Sequence, residues 1–461
     1  MHVRTDRQRQ ILLATSLSYV IVILDTSIVN VALEPIATRL NADVAGLQWV
    51  VNAYTLTFAS LLLTGGALGD RLGAKRIYLT GLLLFATASA LCGLAPTLPA
   101  LIFARVLQGV GAALLVPCSL TLINNVYPDA HDRAGAIGKW AGFGGIAMAA
   151  GPLIGGVLIH WFGWRCIFLV NVPLALAGAW LTTRVPTEEV AVAYARHPDG
   201  VGQILAMIAL ASTVAVLISG TTLGWENVRI MAGSAAAALA WGLFILTEIR
   251  AREPILPLRF FKNKVFSAAV FTSLVSALVF YGLFFLLSLY FQTVRHWPSL
   301  QTGLAFLPLT LFVTLGSFTS GRLCRRFGAL HLVGGGFLLY AAGFVGLYAM
   351  ADNAPYWRIV LCFPAMGLGA GIITPAATAS LMNVIDKSQA GIAAGVLNAS
   401  RQTGSAFGVA IFGALITGNS DLRHSINFAI SLAIGLSLLA ALCWVLALKG
   451  YARPHVTKPP A

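Results

Sequence analysis

Charge is what this chain has least of. Only 10% of its 461 residues are Asp, Glu, Lys or Arg, against about 25% in an ordinary soluble domain. Acids are the scarcer sign, 16 against 30 Lys and Arg. With 58% hydrophobic residues and a mean hydropathy of +0.83, a large soluble core is excluded. The six cysteines, Cys92, Cys118, Cys166, Cys324, Cys362 and Cys443, stand singly in or beside apolar runs. That leaves no disulfide framework and no pair at metal or redox spacing. The eight histidines are scattered with no i, i+4 pair, so the zinc-protease pattern is absent and no catalytic or metal cluster is expected. A phosphate-binding loop is missing too. The nearest string, "GAIGKW" at 135–140, has Arg133 where the first glycine belongs and Trp140 where Ser or Thr belongs. An ATP-driven pump is therefore excluded. The first apolar run, Ile11–Leu33, is too long for a cleavable signal and has no small-residue cleavage site, so it is expected to stay as a span.

What is present is a series of apolar stretches about 20 residues long, each able to cross the hydrocarbon core as a helix. Runs and breakers predict spans near 11–33, 47–69, 77–95, 98–122, 134–159, 166–183, 201–220, 228–249, 265–291, 300–321, 329–350, 356–382, 391–416 and 425–448. The fold class is an all-α polytopic membrane protein with fourteen transmembrane helices. Of the 30 Lys and Arg, 22 fall on the side that holds both termini. The opposite loops hold six: Arg39, Arg165, Arg229, Arg295, Arg358 and Arg423. The positive-inside rule then expects both termini in the cytoplasm and the chain in the cytoplasmic membrane. The net charge of +14 is explained by topology and anionic lipid, with no nucleic-acid partner. Most tryptophans near span ends read as an interfacial belt.

The chain repeats itself. "GALGDRLG" at 66–73 matches "GRLCRRFG" at 321–328 at Gly66/Gly321, Leu68/Leu323, Arg71/Arg326 and Gly73/Gly328, while Asp70 is replaced by Arg325. Internal symmetry of this kind marks secondary transporters. With a six-span unit, two spans are surplus. The expected organisation is a six-helix bundle over 1–183, a linker with two inserted helices over 184–264, and a second six-helix bundle over 265–461. The polar stretch "RVPTEEVAVAYARHPDG" before the insertion reads as a linker.

Six strings now stand in order: "LDTSIVNVA" in span 1, "GGALGDRLGAKR" (65–76), "RVLQGVGAA" (105–113), "GFGGIAMAAGPLIGG" (142–156), "WRCIFLVNVP" (164–173) and "GVLNASRQTGSAFG" (395–408). Together they resemble the major facilitator superfamily, in its 14-span branch of drug:proton antiporters, from about residue 11 to 449. One departure is Glu34, which separates Leu33 from Pro35 where the first-helix signature runs directly into proline. The resemblance implies efflux of lipophilic drugs or toxic small molecules by alternating access, with protons as the coupled ion, no cofactor and a monomeric transporter. The alternatives are a dedicated exporter of one endogenous metabolite or antibiotic and, third, a proton-coupled symporter.

Physical arguments single out residues. A mid-membrane charge costs about 2.5–3.5 kcal/mol on insertion scales, so it faces a partner or a watery cavity. The deep ionisable groups are Asp25, Arg105 and Arg401, with Glu248 near a span end and expected to snorkel. The resemblance places spans 1 and 4 together, which makes Arg105 the expected partner of Asp25. Burial favours a neutral carboxyl and a neighbouring guanidinium favours a charged one. A group held between them suits proton coupling. Gly66, Gly69, Asp70, Arg71, Gly73 and Arg76 read as a cytoplasmic latch, with glycine permitting a tight turn. Gly144, Gly151, Pro152, Gly155 and Gly156 form the antiporter stripe, where small residues permit close helix approach and proline a bend. Asn30, Asn52, Tyr54, Gln108, Asn398, Arg401 and Gln402 are candidate cavity residues, and Phe280, Tyr281, Phe284 and Phe285 crowd span 9 as a possible greasy pocket wall. With one deep carboxylate and a fixed cation at Arg401, neutral or singly charged substrates are expected over dications.

Overall fold

The computed structural model describes residues 2–185, 199–251, 254–348, 355–386, 389–417 and 422–449. Of the polar stretch expected as a linker, 184–200, residues 186–198 lie outside them. The described residues form fifteen α-helices: α1 (His2–Ile28), α2 (Leu33–Leu40), α3 (Val44–Leu72), α4 (Ala74–Leu94), α5 (Leu98–Val126), α6 (Ala130–Phe162), α7 (Cys166–Leu169), α8 (Asn171–Thr183), α9 (Gly200–Leu223), α10 (Val228–Arg250), α11 (Lys264–Leu289), α12 (Ser299–Tyr348), α13 (Tyr356–Met382), α14 (Ala390–Thr417) and α15 (Leu422–Lys449).

Local chemistry sets several helix starts. Asp43 caps α3 by accepting from Gly46 N at 2.7 Å, and Asp199 caps α9 from Gly202 N at 2.9 Å. Asn263 does the same for α11 at Val265 N, 2.9 Å. These side chains satisfy amide groups that would otherwise be unpaired in a membrane. The two repeat copies share a backbone device. Gly73, between α3 and α4, has φ +93°, and its counterpart Gly328, inside α12, has φ +77°. Residues with a side chain rarely adopt such angles, which explains why glycine stands at both places.

Twelve helical stretches among the described residues are long and apolar enough to cross a membrane. Two features separate this number from the fourteen expected. The tenth stretch runs unbroken over 50 residues, Ser299–Tyr348, through the non-helical backbone of Gly328. The other is α14, a 28-residue helix that is absent from the twelve.

Glycine lets helices within each half meet backbone to backbone. A Cβ on Gly109 of α5 would lie 2.6 Å from Tyr54 O of α3. In the second half, Gly404 and Gly408 of α14 are pressed against the carbonyls of Leu274 and Leu278 on α11. The halves join along two seams, α3 on α14 and α6 on α12. Helix α9 packs on both α3 and α14 and so lies against a seam, with α10 packed on α9. Gln203 of α9 donates to Ser60 O at 2.5 Å and accepts from Thr64 Oγ1, while Leu210, Val214 and Ile218 pack on Leu56, Ala406 and Ala410.

One end of the bundle is sealed by polar ties between the halves. Gln48 donates to the carbonyls of Val409 at 2.9 Å and Ala410 at 2.8 Å. Asn30 O accepts from Ser288 Oγ and from Gln292 Nε2, the latter at 3.3 Å. Gln292 also accepts from Glu34 N at 3.0 Å, so Glu34 stands within this seal. Glu248 departs from the expectation that it snorkels. It is 3% exposed and accepts from Leu256 N at 2.8 Å, because the chain after α10 folds back over it.

Candidate functional site

Asp25 sits near the end of α1 and is fully buried, as is Arg105 on α5. One Asp25 oxygen, Oδ2, accepts from Arg105 Nη1. The other, Oδ1, accepts from Gln108 Nε2 at 2.8 Å and from Asn171 Nδ2 at 3.0 Å. Arg105 is held independently: Nε donates to Val50 O at 3.0 Å, Nη1 to Gln108 Oε1 at 2.7 Å, and the guanidinium lies 4.3 Å from the centre of the Tyr54 ring. Gln108 donates further to Ser89 Oγ at 2.9 Å. Five helices, α1, α3, α4, α5 and α8, thus converge on one ion pair. A buried pair is tolerable only when its remaining lone pairs and protons find partners, and this web supplies donors to both carboxylate oxygens and acceptors for Nε and Nη1.

The arrangement has a chemical consequence. If Asp25 takes a proton, Arg105 loses one acceptor but keeps Val50 O and Gln108 Oε1. The cation keeps two hydrogen bonds, which offset part of the cost of leaving it buried without a counter-charge. Two contributors, Asn171 and Ser89, were not singled out from the sequence. Neutral polar side chains leave little trace in hydropathy, and Asn171 was visible only as part of "WRCIFLVNVP".

A cavity of about 10 Å³ adjoins the pair between the halves, lined by Thr26, Thr55, Arg105, Tyr281, Gln402 and Ser405 among others. That is about the space one water needs. Of the cavity candidates Asn30 and Gln402 border it, beside the proton-coupling candidate Arg105, and Arg401 does not. Tyr54 and Gln108 serve the ion pair instead. Asn52 is buried on α3 with neither amide atom partnered. Asn398 is only partly buried and does not border this cavity. Of the four aromatics that crowd the second half of α11, Tyr281 alone reaches it; Phe280, Phe284 and Phe285 are buried in the helix packing.

The antiporter stripe divides into two faces. Gly144 lies under the Tyr19 ring, Gly151 against Ser27, and a Cβ on Gly155 would sit 2.6 Å from Ile28 and Val31 side chains, all on the first membrane segment. Gly156 turns the other way, 2.8 Å from Leu300 Cα by the same measure. Pro152 offers its carbonyl to the bare Gly303, and Ala149 O accepts from Thr310 at 3.2 Å. One helix therefore packs on its own half with one face and on α12 with another. The latch residues lie at the α3–α4 junction, at the end away from the polar ties between the halves. Asp70, Arg71, Gly73 and Arg76 are exposed there, Gly69 packs on Cys118, and Gly66 faces Pro117.

Polar ties between two sets of helices at one end, a buried ion pair within the first set and a glycine-bearing repeat carried by both mark a secondary transporter. The chain belongs to the Major Facilitator Superfamily, whose model matches residues 15–408 and 309–461. It is 37% identical over 441 residues to the methylenomycin A resistance protein of Bacillus subtilis (strain 168), covering 94% of this chain and 93% of that one. It is 34% identical over 405 residues to the tetracenomycin C resistance and export protein of Streptomyces glaucescens, covering 88% and 75%. Among solved structures it resembles a bacterial homologue of the human lysosomal transporter Spinster (TM-score 0.68, 16% identity, covering 96% and 97%). It also resembles a D-xylose–proton symporter (TM-score 0.66, 17% identity, covering 94% and 96%).

Proposed function

We propose that this multi-pass membrane protein exports small lipophilic drugs or toxic compounds across the cytoplasmic membrane in exchange for protons. Efflux is supported by relatives named for resistance and export. The observation that carries proton coupling is Asp25, a deep carboxylate whose only charged partner among the described residues has other acceptors to fall back on. A second reading, export of one particular antibiotic, is favoured by relatives named for single compounds.

Fourteen crossings, in the drug:proton antiporter branch, fit this function. Helix α12 crosses twice, turning at Gly328 as the chain turns at Gly73, and α14 crosses despite its polar residues. The halves are 1–183 and 265–461, with α9 and α10 inserted between them. The 22-to-6 charge split puts both termini in the cytoplasm, which makes the sealed end the outer one and this state inward-facing. Reporter fusions ending at Gly328, Pro355, Asp386 and Lys449 are expected to report inside, outside, inside and inside in turn. The last two share a side because α14 and α15 cross out and back. A Gly328 fusion outside would remove the double crossing of α12.

The cycle follows from two states of one machine. Facing outward, Asp25 takes a proton; facing inward, it releases it and substrate binds. Asp70 and its neighbours hold the outward-facing state closed on the cytoplasmic side. The test is substrate uptake by everted vesicles of an efflux-deficient host. Wild type should accumulate dye when the lumen is acid, and a protonophore should abolish it. Asp70→Asn should slow uptake about tenfold or more without loss of protein. Protonophore-insensitive uptake would sink the proton coupling.

A further inference from the structure

We propose that Arg401, with the hydroxyls of Tyr19 and Tyr281, is the subsite that holds an acidic group of the exported compound, so that the preferred substrates are lipophilic monoanions. The inference rests on the efflux reading and names the substrate class for it.

The argument begins with charge balance. Among the described residues three charged side chains lie midway along the spans, Asp25, Arg105 and Arg401, with Glu248 buried instead near the end of α10, and the first two neutralise each other. From Lys264 to the C-terminus the sequence contains only three acids, Asp352, Asp386 and Asp421. None lies in a described helix: Asp386 follows α13, and Asp352 and Asp421 fall outside the described residues. No carboxylate pairs with Arg401 among the described residues. A fixed cation at mid-membrane is costly, and such groups face a partner or a path for charged cargo.

Placement supplies the second line. Arg401 lies midway along α14 and is half-buried. Its neighbour Gln402 and the nearby Tyr281 line the cavity beside Asp25 and Arg105. The guanidinium meets the Tyr19 hydroxyl across the seam and lies close to Tyr281. Tyr19 is held in place, its ring stacked on Trp140 with centroids 3.7 Å apart and planes 19° apart. Gly144 leaves the room for that ring; a Cβ there would be 2.5 Å or less from it.

Chemistry supplies the third. A guanidinium has five N–H donors and no acceptor, and a phenol oxygen that accepts from it keeps its own O–H to donate. The group is rich in donors, positively charged and walled by aromatic rings. An oxyanion on an apolar body fits it, because charge-assisted hydrogen bonds are the strong ones. A cationic body would meet uncompensated repulsion. Tyr19 comes from the first half and Arg401 and Tyr281 from the second, so a bound oxyanion touches both halves in this state.

The test uses the purified full-length protein and two probes of nearly equal shape, 1-pyrenebutyric acid and its methyl ester, at a pH where the acid is ionised. Energy transfer from tryptophan reports binding. Wild type should bind the acid at least about tenfold more tightly than the ester, the worth of one charge-assisted contact. Arg401→Gln should bring the acid-to-ester ratio close to one, Arg401→Lys should keep part of it, and Tyr19→Phe, which retains the stack on Trp140, should reduce it. Equal binding of acid and ester by wild type, or an unchanged ratio in Arg401→Gln, would overturn the assignment and leave Arg401 as a tie between the halves. Vesicle transport separates the two readings. A protein that prefers the acid but moves nothing under a pH gradient keeps the subsite and loses the efflux function. One that exports acid and ester alike, with Arg401→Gln indifferent to the charge, keeps the function and loses the subsite.

Discussion

Liposomes carrying Asp25→Asn are expected to move no substrate uphill when a pH gradient is imposed, where wild type does. The substitution keeps the shape of the side chain and removes its ability to titrate. It also changes the local hydrogen bonding in a way the structure specifies. In wild type both carboxylate oxygens accept, Oδ2 from Arg105 and Oδ1 from Gln108 and Asn171. Asparagine has one oxygen and one NH2. Whichever way it turns, its NH2 faces a donor. The mismatch should cost about 1–3 kcal/mol, and leaving Arg105 buried without a counter-charge adds to it, enough to lower the yield of folded protein without preventing membrane insertion. Stability and coupling therefore have to be read apart. Asn171→Ala removes one donor from the same oxygen and leaves the carboxylate titratable. It should match much of the stability loss while keeping gradient-driven transport. Uphill transport by Asp25→Asn would make the pair structural. Equal loss of transport by Asn171→Ala would make the coupling a property of the whole web. Asp25→Glu should retain partial transport, since the carboxyl survives but is displaced by one methylene.

The ion pair was legible because charge is expensive in a membrane. In a chain this apolar, each deep charge stands out, and the family resemblance, which places spans 1 and 4 together, pointed to Arg105 as the partner of Asp25. The repeat was legible for a related reason: Gly73 and Gly328 carry backbone angles that other residues avoid. Asn171 and Ser89 were not, because a neutral amide or hydroxyl in a span costs little and often just bonds a neighbouring helix. The seal escaped for the same reason. Gln48, Ser288 and Gln292 hold the halves together through backbone carbonyls, which have no sequence signature. The small-residue stripe on α6 was visible, but spacing alone did not divide it. Residues 144, 151 and 155 pack on the first membrane segment, while 152 and 156 pack on α12. The position of α9 across the α3–α14 seam also lay beyond hydropathy, since its apolar face would suit lipid as well as protein.

Gly303→Val is expected to abolish transport while the protein still folds and inserts, and the divided stripe says why. Gly303 of α12 faces the backbone of Pro152, and a Cβ there would run into the Pro152 carbonyl, 2.9 Å from its carbon. Pro152 cannot yield easily. Its ring removes the hydrogen bond to residue 148 and fixes the local bend. Gly156 makes the reciprocal contact with Ser299 and Leu300. Both contacts cross from one half to the other at the sealed end. If the halves rock about the central site, this seam closes in the present state and parts in the alternate one. Valine would then penalise only the closed seam, by about 1–3 kcal/mol for overpacking and more where backbone cannot shift. About 3 kcal/mol on a two-state equilibrium moves it by a factor above a hundred, which would strand the transporter with the seam open. Gly151→Val provides the contrast. Its clash is with Ser27 and Ile28 of the same half, present in both states, so it should lower the amount of folded protein rather than trap a state. The measurement is labelling of a cysteine placed at Ser299, with the six native cysteines replaced, by a maleimide that cannot cross the membrane. In the parent Ser299 is 8% exposed and labelling should be slow. Gly303→Val should speed it severalfold while transport falls to background. Slow labelling together with full transport would mean that this seam stays closed throughout the cycle, and that the glycines of α6 serve packing alone.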